Sequence, residues 1–186
     1  MIKQFTLVAA LASATLAPAS AAHWNVDHSK SRLGFAVQWS GQPFVATFKV
    51  WNAKIDFDPA DLTRAKAMAT VDLSSETSGL ADNDDGLKGA EGFAVSLFPV
   101  ARFETVSFAA KGANIYVATG RLSIHGVTRT ITLPFTLSFA GDSVHMTGKT
   151  VVMRTDFGLG QGEWASPATI AHEVTISIDL TARKTR

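Results

Sequence analysis

From residue 121 onward the chain alternates apolar and polar residues between glycine breaks. Ile131, Leu133, Phe135, Leu137 and Phe139 fall on one side of this ladder, and Thr132, Pro134, Thr136 and Ser138 on the other. Val174, Ile176, Ile178 and Leu180 repeat the pattern against Thr175, Ser177, Asp179 and Thr181. A period of two marks strands with one buried and one solvated face. The spacing predicts strands over residues 114–124, 129–139, 143–155 and 170–182, with Gly126 and Gly141 in the connections.

The same reading predicts strands over residues 24–27 and 32–39, the latter with Leu33, Phe35, Val37 and Trp39 on one face. Residues 44–58 read as one long strand. Phe44, Ala46, Phe48 and Val50 share a face, whereas Ile55 and Phe57 lie in the opposite phase. One extra residue near positions 51–53, a β-bulge, reconciles them. Asp58-Pro59-Ala60-Asp61 reads as a turn. A strand over 65–74 follows, with Ala67, Ala69, Val71 and Leu73 on one side, and another is expected over 102–109. Residues 76–99 break the alternation and predict a loop with one or two short helical turns ending at Pro99. About eight antiparallel strands, one helical insertion and no αβ alternation make an all-β barrel or sandwich. Open edges invite aggregation, so the strands are expected to close on themselves or stack.

The beginning of the chain changes this picture in one respect. Lys3, an apolar stretch over residues 5–17 and Pro18-Ala19-Ser20-Ala21-Ala22 form the pattern of a cleavable secretory signal. Cleavage after Ala21 or Ala22 fits equally well. The expected division is a leader over 1–22 and a single domain over 23–186, exported to the periplasm. The leader's apolar run is shorter than the ~20 residues a spanning helix needs, and no later run approaches that length. The chain has 186 residues, no Cys and a formal charge of +1. No disulfide is available, and the absence of a basic patch argues against nucleic acid. Twelve Phe and four Trp exceed what a small solid core obviously needs and point toward a large apolar interior.

Candidate chemistry is sparse. There is no Gly-x-Ser-x-Gly or Ser-x-x-Lys nucleophile motif, and no readable pair of acids. Asp56, Asp58 and Asp61 cluster at a turn, where solvation explains them. His23, His28, His125, His145 and His172 are scattered without zinc-ligand spacing. His23 would gain a copper-chelating amine only if cleavage follows Ala22. His125, next to Gly126 in a tight turn, is expected to satisfy backbone. Asn83-Asp84-Asp85 lacks the spacing of a calcium loop and reads as a solvated acidic turn at a helix start. Gly158-x-Gly160-x-Gly162 is not followed by the helix that a dinucleotide loop requires. Arg154 and Asp156, two apart on an expected strand, share a face. They read either as a polar anchor for a quinone or phenol head group, or as a structural ion pair or groups satisfying backbone near the Gly158–Gly160 bend. Arg121 and Ser123 carry the same ambiguity. Alternation alone does not separate a solid core from a cavity, since eight strands suit either.

A set of ordered motifs does bear on that choice. Trp24-Asn25-Val26-Asp27-His28-Ser29, Ile55-Asp56-Phe57-Asp58-Pro59, Leu87-Lys88-Gly89 and the run from Phe98 through Pro99 and Arg102 to Glu104 lie in order along the chain. Leu122-Ser123-Ile124-His125-Gly126-Val127-Thr128-Arg129 and Arg154-Thr155-Asp156-Phe157-Gly158-Leu159-Gly160 complete it. In these segments the chain resembles the YceI-like family of exported bacterial proteins, lipocalin-like barrels that bind isoprenoid or other lipid chains. It departs at Trp39-Ser40-Gly41-Gln42-Pro43-Phe44, where the family usually carries a histidine. Gly160-Gln161-Gly162-Glu163-Trp164 resembles a branch found with b-type membrane cytochromes. The resemblance implies an eight-stranded antiparallel lipocalin-like barrel with a short helical insertion. It also implies a ligand cavity, no covalent cofactor and no catalysis. The implied ligand is an isoprenoid quinone or another polyisoprenoid or fatty-chain amphiphile. Phe35, Val37, Phe48, Val50, Val71, Leu122, Ile124, Phe135, Leu137, Ile176 and Ile178 are the expected contacts, with Arg154 and Asp156 at the mouth. Quinone presentation to a membrane cytochrome, scavenging of a fatty acid or amide under stress, and a homodimer are alternative or additional expectations.

Overall fold

The computed structural model describes residues 22–185. The expected leader lies outside the described residues except for Ala22. The strands are β1 (His23–Val26), β2 (Arg32–Trp39), β3 (Gln42–Phe48), β4 (Trp51–Asp56), β5 (Lys66–Asp72) and β6 (Glu76–Thr77). The helix α1 (Ala81–Lys88) precedes β7 (Val100–Gly112), β8 (Ile115–Ile124), β9 (Val127–Ala140), β10 (Ser143–Met153) and β11 (Glu173–Lys184). Consecutive antiparallel pairs run from β7 to β11, and β5 joins β4 to β7. One end of β11 pairs with β1, which pairs with β4; the other pairs with β2, which pairs with β3. β1 and β2 therefore lie end to end in one barrel position, and β3 and β4 in the next. The result is a closed antiparallel barrel of eight positions with a single helix among the described residues, as the sequence predicts.

Both composite strands are broken by polar devices. Between β1 and β2, Asp27 caps a 3-10 turn (His28–Lys30) by accepting from the Ser29 amide at 3.1 Å. Between β3 and β4 the chain bends at Lys49 and Val50, whose amides donate to the Ser75 carbonyl at 3.1 Å and the Ser75 hydroxyl at 3.0 Å. This bend replaces the expected bulge near residues 51–53. It moves the buried phase from Phe44, Ala46 and Phe48 to Trp51, Ala53 and Ile55, and it turns Val50 outward at 58% exposure. The assignment of Val50 to the inner face is corrected accordingly. A second irregularity, between Thr105 and Ser107, restores Phe108 to the inside of β7. At the β8–β9 hairpin His125 and Gly126 both have positive φ, +53° and +75°, the two-residue turn that suits strand twist. The His125 ring rests on Phe98 at a centroid distance of 4.6 Å.

The insertion between β5 and β7 is more ordered than a loop. The Asp84 carboxylate, on α1, accepts from the Thr77 hydroxyl at 2.8 Å, the Ser78 amide at 2.7 Å and the Ser78 hydroxyl. Asp84 is buried at 7% exposure, which corrects the reading of residues 83–85 as a wholly solvated turn. Burial alone would raise the Asp84 pKa, but the hydrogen bonds from Ser78 and Thr77 outweigh it and hold the carboxyl below its ordinary value. Beside it lies Glu76, 1% exposed, with no hydrogen-bond partner on either carboxyl oxygen. Burial, then the charge of Asp84, push Glu76 up to about 7, partly opposed by Lys88. No helix among the described residues is long and apolar enough to cross a membrane.

Glu76 gives the fold a pH signature. The native state holds this proton to higher pH than the unfolded chain, so the associated stability is full below about 4.5 and is lost as pH rises through about 7. The loss amounts to roughly 2–3 kcal/mol. Thermal melts at pH 5 and pH 8 should show that loss in the native sequence. Glu76→Gln should reduce it to a fraction, and an equal loss in the variant would refute the assignment.

Candidate functional site

The inner faces of the strands do not meet in the middle. They line a cavity of about 190 Å³ at the end of the barrel where β2, β5, β8 and β10 finish. Phe35 and Val37 of β2, Phe48 of β3, Val71 of β5, Leu122 and Ile124 of β8, Val152 of β10, and Val174, Ile176 and Ile178 of β11 form its wall. Ile124, Ile131, Val174, Ile176 and Ile178 pack against buried neighbours on one side and face this space on the other, and so retain partial exposure. Leu87, Gly92 and Phe93 from the insertion and Leu159, Gly160, Trp164 and Ile170 from the segment after β10 cover the end. Phe93 meets Phe35 edge-on at 6.0 Å, and Trp164 meets Trp39 edge-on at 5.2 Å. The two covers are tied by a hydrogen bond from the Gly160 amide to the Glu91 carbonyl at 2.8 Å.

The cover after β10 is organised by Arg154. Residues 154–157 form a 3-10 turn, not the continuation of a strand, so Arg154 and Asp156 diverge. Asp156 is exposed and Arg154 is buried at 5% exposure. Every N–H of the guanidinium donates to a backbone carbonyl. Nε reaches Ala171 at 3.0 Å, Nη1 reaches Leu159 and Gly160 at 2.9 Å each, and Nη2 reaches Trp164 at 2.6 Å and Ile170 at 2.8 Å. Of the two readings left open by the sequence, the structure places Arg154 as the group that satisfies backbone around the Gly158–Gly160 bend. Gly160, at φ +71°, has no room for a side chain: a Cβ there would lie 2.0 Å from Nη1. Burial lowers the pKa of Arg154. Its charge is met by five carbonyl dipoles.

The wall consequently offers little polar chemistry. Thr150 donates its hydroxyl to the Thr132 carbonyl at 2.7 Å, the Arg154 donors are all engaged, and Arg102 lies on the exposed face of β7. Arg121 pairs with Glu104 at 3.5 Å on the outer surface, and Ser123 bonds Thr128 at 2.7 Å. His23 sits 2.9 Å from Asp56, and His145 sits 2.7 Å from Asp179, both on exposed surfaces. Among the described residues no three His, Asp or Glu side chains cluster as a metal site.

The structure brings together nine of the expected contacts: Phe35, Val37, Phe48, Val71, Leu122, Ile124, Arg154, Ile176 and Ile178 all line the cavity. Val50 and Asp156 do not, being outside. Phe135 and Leu137 line a second apolar cavity of about 80 Å³ at the opposite end, with Trp24, Phe57, Phe108 and Leu180. Sequence reasoning missed Phe93, Leu159 and Trp164, which lie on irregular segments where alternation carries no signal, and Phe103 and Leu133, which border both cavities.

A family model described as a YceI-like domain matches residues 24–182. A protein named YceI from Salmonella arizonae is 30% identical over 141 residues, covering 74% of this chain and 72% of the relative. A UPF0312 protein from Shewanella denitrificans is 30% identical over 112 residues, covering 60% of this chain and 56% of the relative, so the chain spans little more than half of that protein's length. The crystal structure of Burkholderia cenocepacia BcnA superposes with a TM-score of 0.82 at 31% identity, over 84% of this chain and 99% of that one. A polyisoprenoid-binding domain from Saccharophagus degradans, implicated in plant cell wall breakdown, shares the fold at a TM-score of 0.68 and 17% identity, over 87% and 98% of the two chains.

The Arg154 arrangement predicts a specific loss. Arg154→Lys keeps the charge but offers three donors on one atom in place of a five-donor fork. At least two of the five carbonyls lose their donor, and at about 1–3 kcal/mol for each, thermal or chemical denaturation should show a loss of about 2–6 kcal/mol. A variant within 1 kcal/mol of the native protein would show that the five hydrogen bonds do not hold this cover.

Proposed function

The chain belongs to the YceI-like family, and on that premise we propose that it is an exported carrier holding one long apolar chain inside its barrel. The ligand class is an isoprenoid quinone or a comparable polyisoprenoid or fatty-chain amphiphile. The observation that carries this reading is the wall itself: an apolar cavity whose inward polar neighbours, Thr150 and Arg154, are engaged by the protein's own carbonyls, and whose remaining polar neighbour, Arg102, lies on the exposed face of β7. Such a site recognises slenderness and apolar length, not a head group. Each buried CH₂ contributes about 0.8 kcal/mol, so ~10 carbons supply roughly 8 kcal/mol before the costs of ordering and immobilisation. Micromolar affinity is within reach of that balance for longer chains.

The name of the Saccharophagus domain supports an isoprenoid over other chains. Export rests on the leader pattern of residues 1–22. Binding without turnover is the reading that the wall supports, because the donors of its two inward polar side chains, Thr150 and Arg154, are taken up by backbone carbonyls. The covers contributed by Phe93 and Trp164 form the part through which a chain enters.

Titration of delipidated protein, followed by displacement of a fluorescent fatty probe, tests this directly. A prenyl quinone and a prenyl alcohol of equal chain length should both compete at micromolar concentration or below, and the chain-free quinone head should not compete. Competition by the head alone, or by neither chain, would contradict the proposal.

A further inference from the structure

The two cavities lie in line along the barrel. On β9, Ile131 borders the larger cavity, Leu133 borders both, and Phe135 to Phe139 border the smaller. β11 repeats the sequence, with Val174, Ile176 and Ile178 on one cavity and Leu180 and Ala182 on the other. The same succession holds on β8, where Leu122 and Ile124 face the first space and Ala118 the second. From Ile131 to Phe139 the strand rises roughly 27 Å, or about 20 Å along the axis at the usual tilt. The interior is thus one long apolar bore interrupted at a single level.

Phe103 and Leu133 are the two residues that border both spaces. Leu133 is fixed: it is 5% exposed and belongs to the packed cluster around Phe57 and Phe135. Phe103 is only partly buried and packs at the edge of a different cluster. Its ring lies in the notch left by Gly120 on the neighbouring strand. A Cβ at position 120 would stand 2.5 Å from two ring carbons of Phe103. A glycine beneath an inward ring gives that ring a seat against the wall, and space lies on either side of it.

We propose that Phe103 is the internal stop that sets how long a chain this barrel accepts, and that the smaller cavity is a subsite for the hydrocarbon end of longer chains. The inference rests on the carrier reading and deepens it. The subsite is lined by apolar side chains apart from Thr105, whose hydroxyl bonds the Ala67 backbone, so its occupant is a hydrocarbon terminus. A chain that fills the larger cavity gains nothing from further length until the Phe103 ring turns aside.

The test is a series of competitors, geraniol, farnesol, geranylgeraniol and solanesol, measured by probe displacement from the native protein and from Phe103→Ala. Affinity in the native protein should rise with length and then level off. In Phe103→Ala the levelling should move to a longer member, with a gain of about tenfold for that member and little change for geraniol. Phe103→Leu, which keeps an apolar side chain of smaller reach, should shift the profile in the same direction and serves if the alanine variant fails to fold. An unchanged profile in both Phe103 variants, or a native profile that never levels, would overturn the stop while leaving the carrier reading intact. Failure of the native protein to bind any member would overturn both.

Discussion

The interior of this barrel depends on β11. Along one edge it pairs with β10 from Glu173 to Arg183. Along the other it serves two strands in turn, β2 through Thr175 to Asp179 and β1 through Ala182 to Lys184. The junction between those two partners is stitched by polar atoms: the Asp27 amide donates to the Thr181 carbonyl at 2.8 Å, and the Thr181 amide donates to the Ser31 hydroxyl at 3.0 Å. Through this strand the sheet closes on itself by way of β1 and β4, while the outer edge of β3 carries only the two-residue strand β6. Only a closed sheet turns a set of alternating strands into an enclosed space, so every statement about a ligand follows from this pairing.

The space is shaped by a contrast between its walls and its covers. The walls are regular strands whose inner side chains are apolar and whose hydrogen bonds lie within the sheet. The covers are irregular, and irregular backbone must find partners elsewhere. Arg154 meets that need on one side by gathering carbonyls of residues 159, 160, 164, 170 and 171 around one guanidinium. Asp84 meets it on the other by gathering donors of Thr77 and Ser78. Both charged groups thus act on the chain itself, and the cavity that they frame stays apolar. Glu76 is the exception, a buried carboxyl with no partner, and it makes the insertion sensitive to pH.

Much of this was legible in the sequence because a period of two reports which face of a strand is buried. The ladders at Ile131–Phe139 and Val174–Leu180 lie on the inner face as read, and the eight-position barrel follows from them and from the ordered family motifs. The reading failed where the backbone leaves the strand. Val50 kept its phase on paper, but Ser75 captures the amides of Lys49 and Val50 and the chain turns there. Arg154 and Asp156 would share a face on a strand, but the chain coils into a 3-10 turn at that point. Glu76 and Asp84 gave no sign of burial: Glu76 is a lone acid in a polar run and Asp84 one of three Asp over residues 82–85, and the burial of each depends on what folds over it. The division of the interior was equally hidden, since it rests on Phe103 lying across Gly120, a relation between strands that no local pattern encodes.

The central claim is that the barrel encloses a chain. Native mass spectrometry of the protein, purified without detergent and followed by organic extraction, addresses that claim most directly. The account predicts a discrete added mass that extracts as an apolar chain compound, a prenyl quinone or a close relative. A clean mass of the protein alone, with none gained on incubation with prenyl quinones or fatty amides, would contradict it.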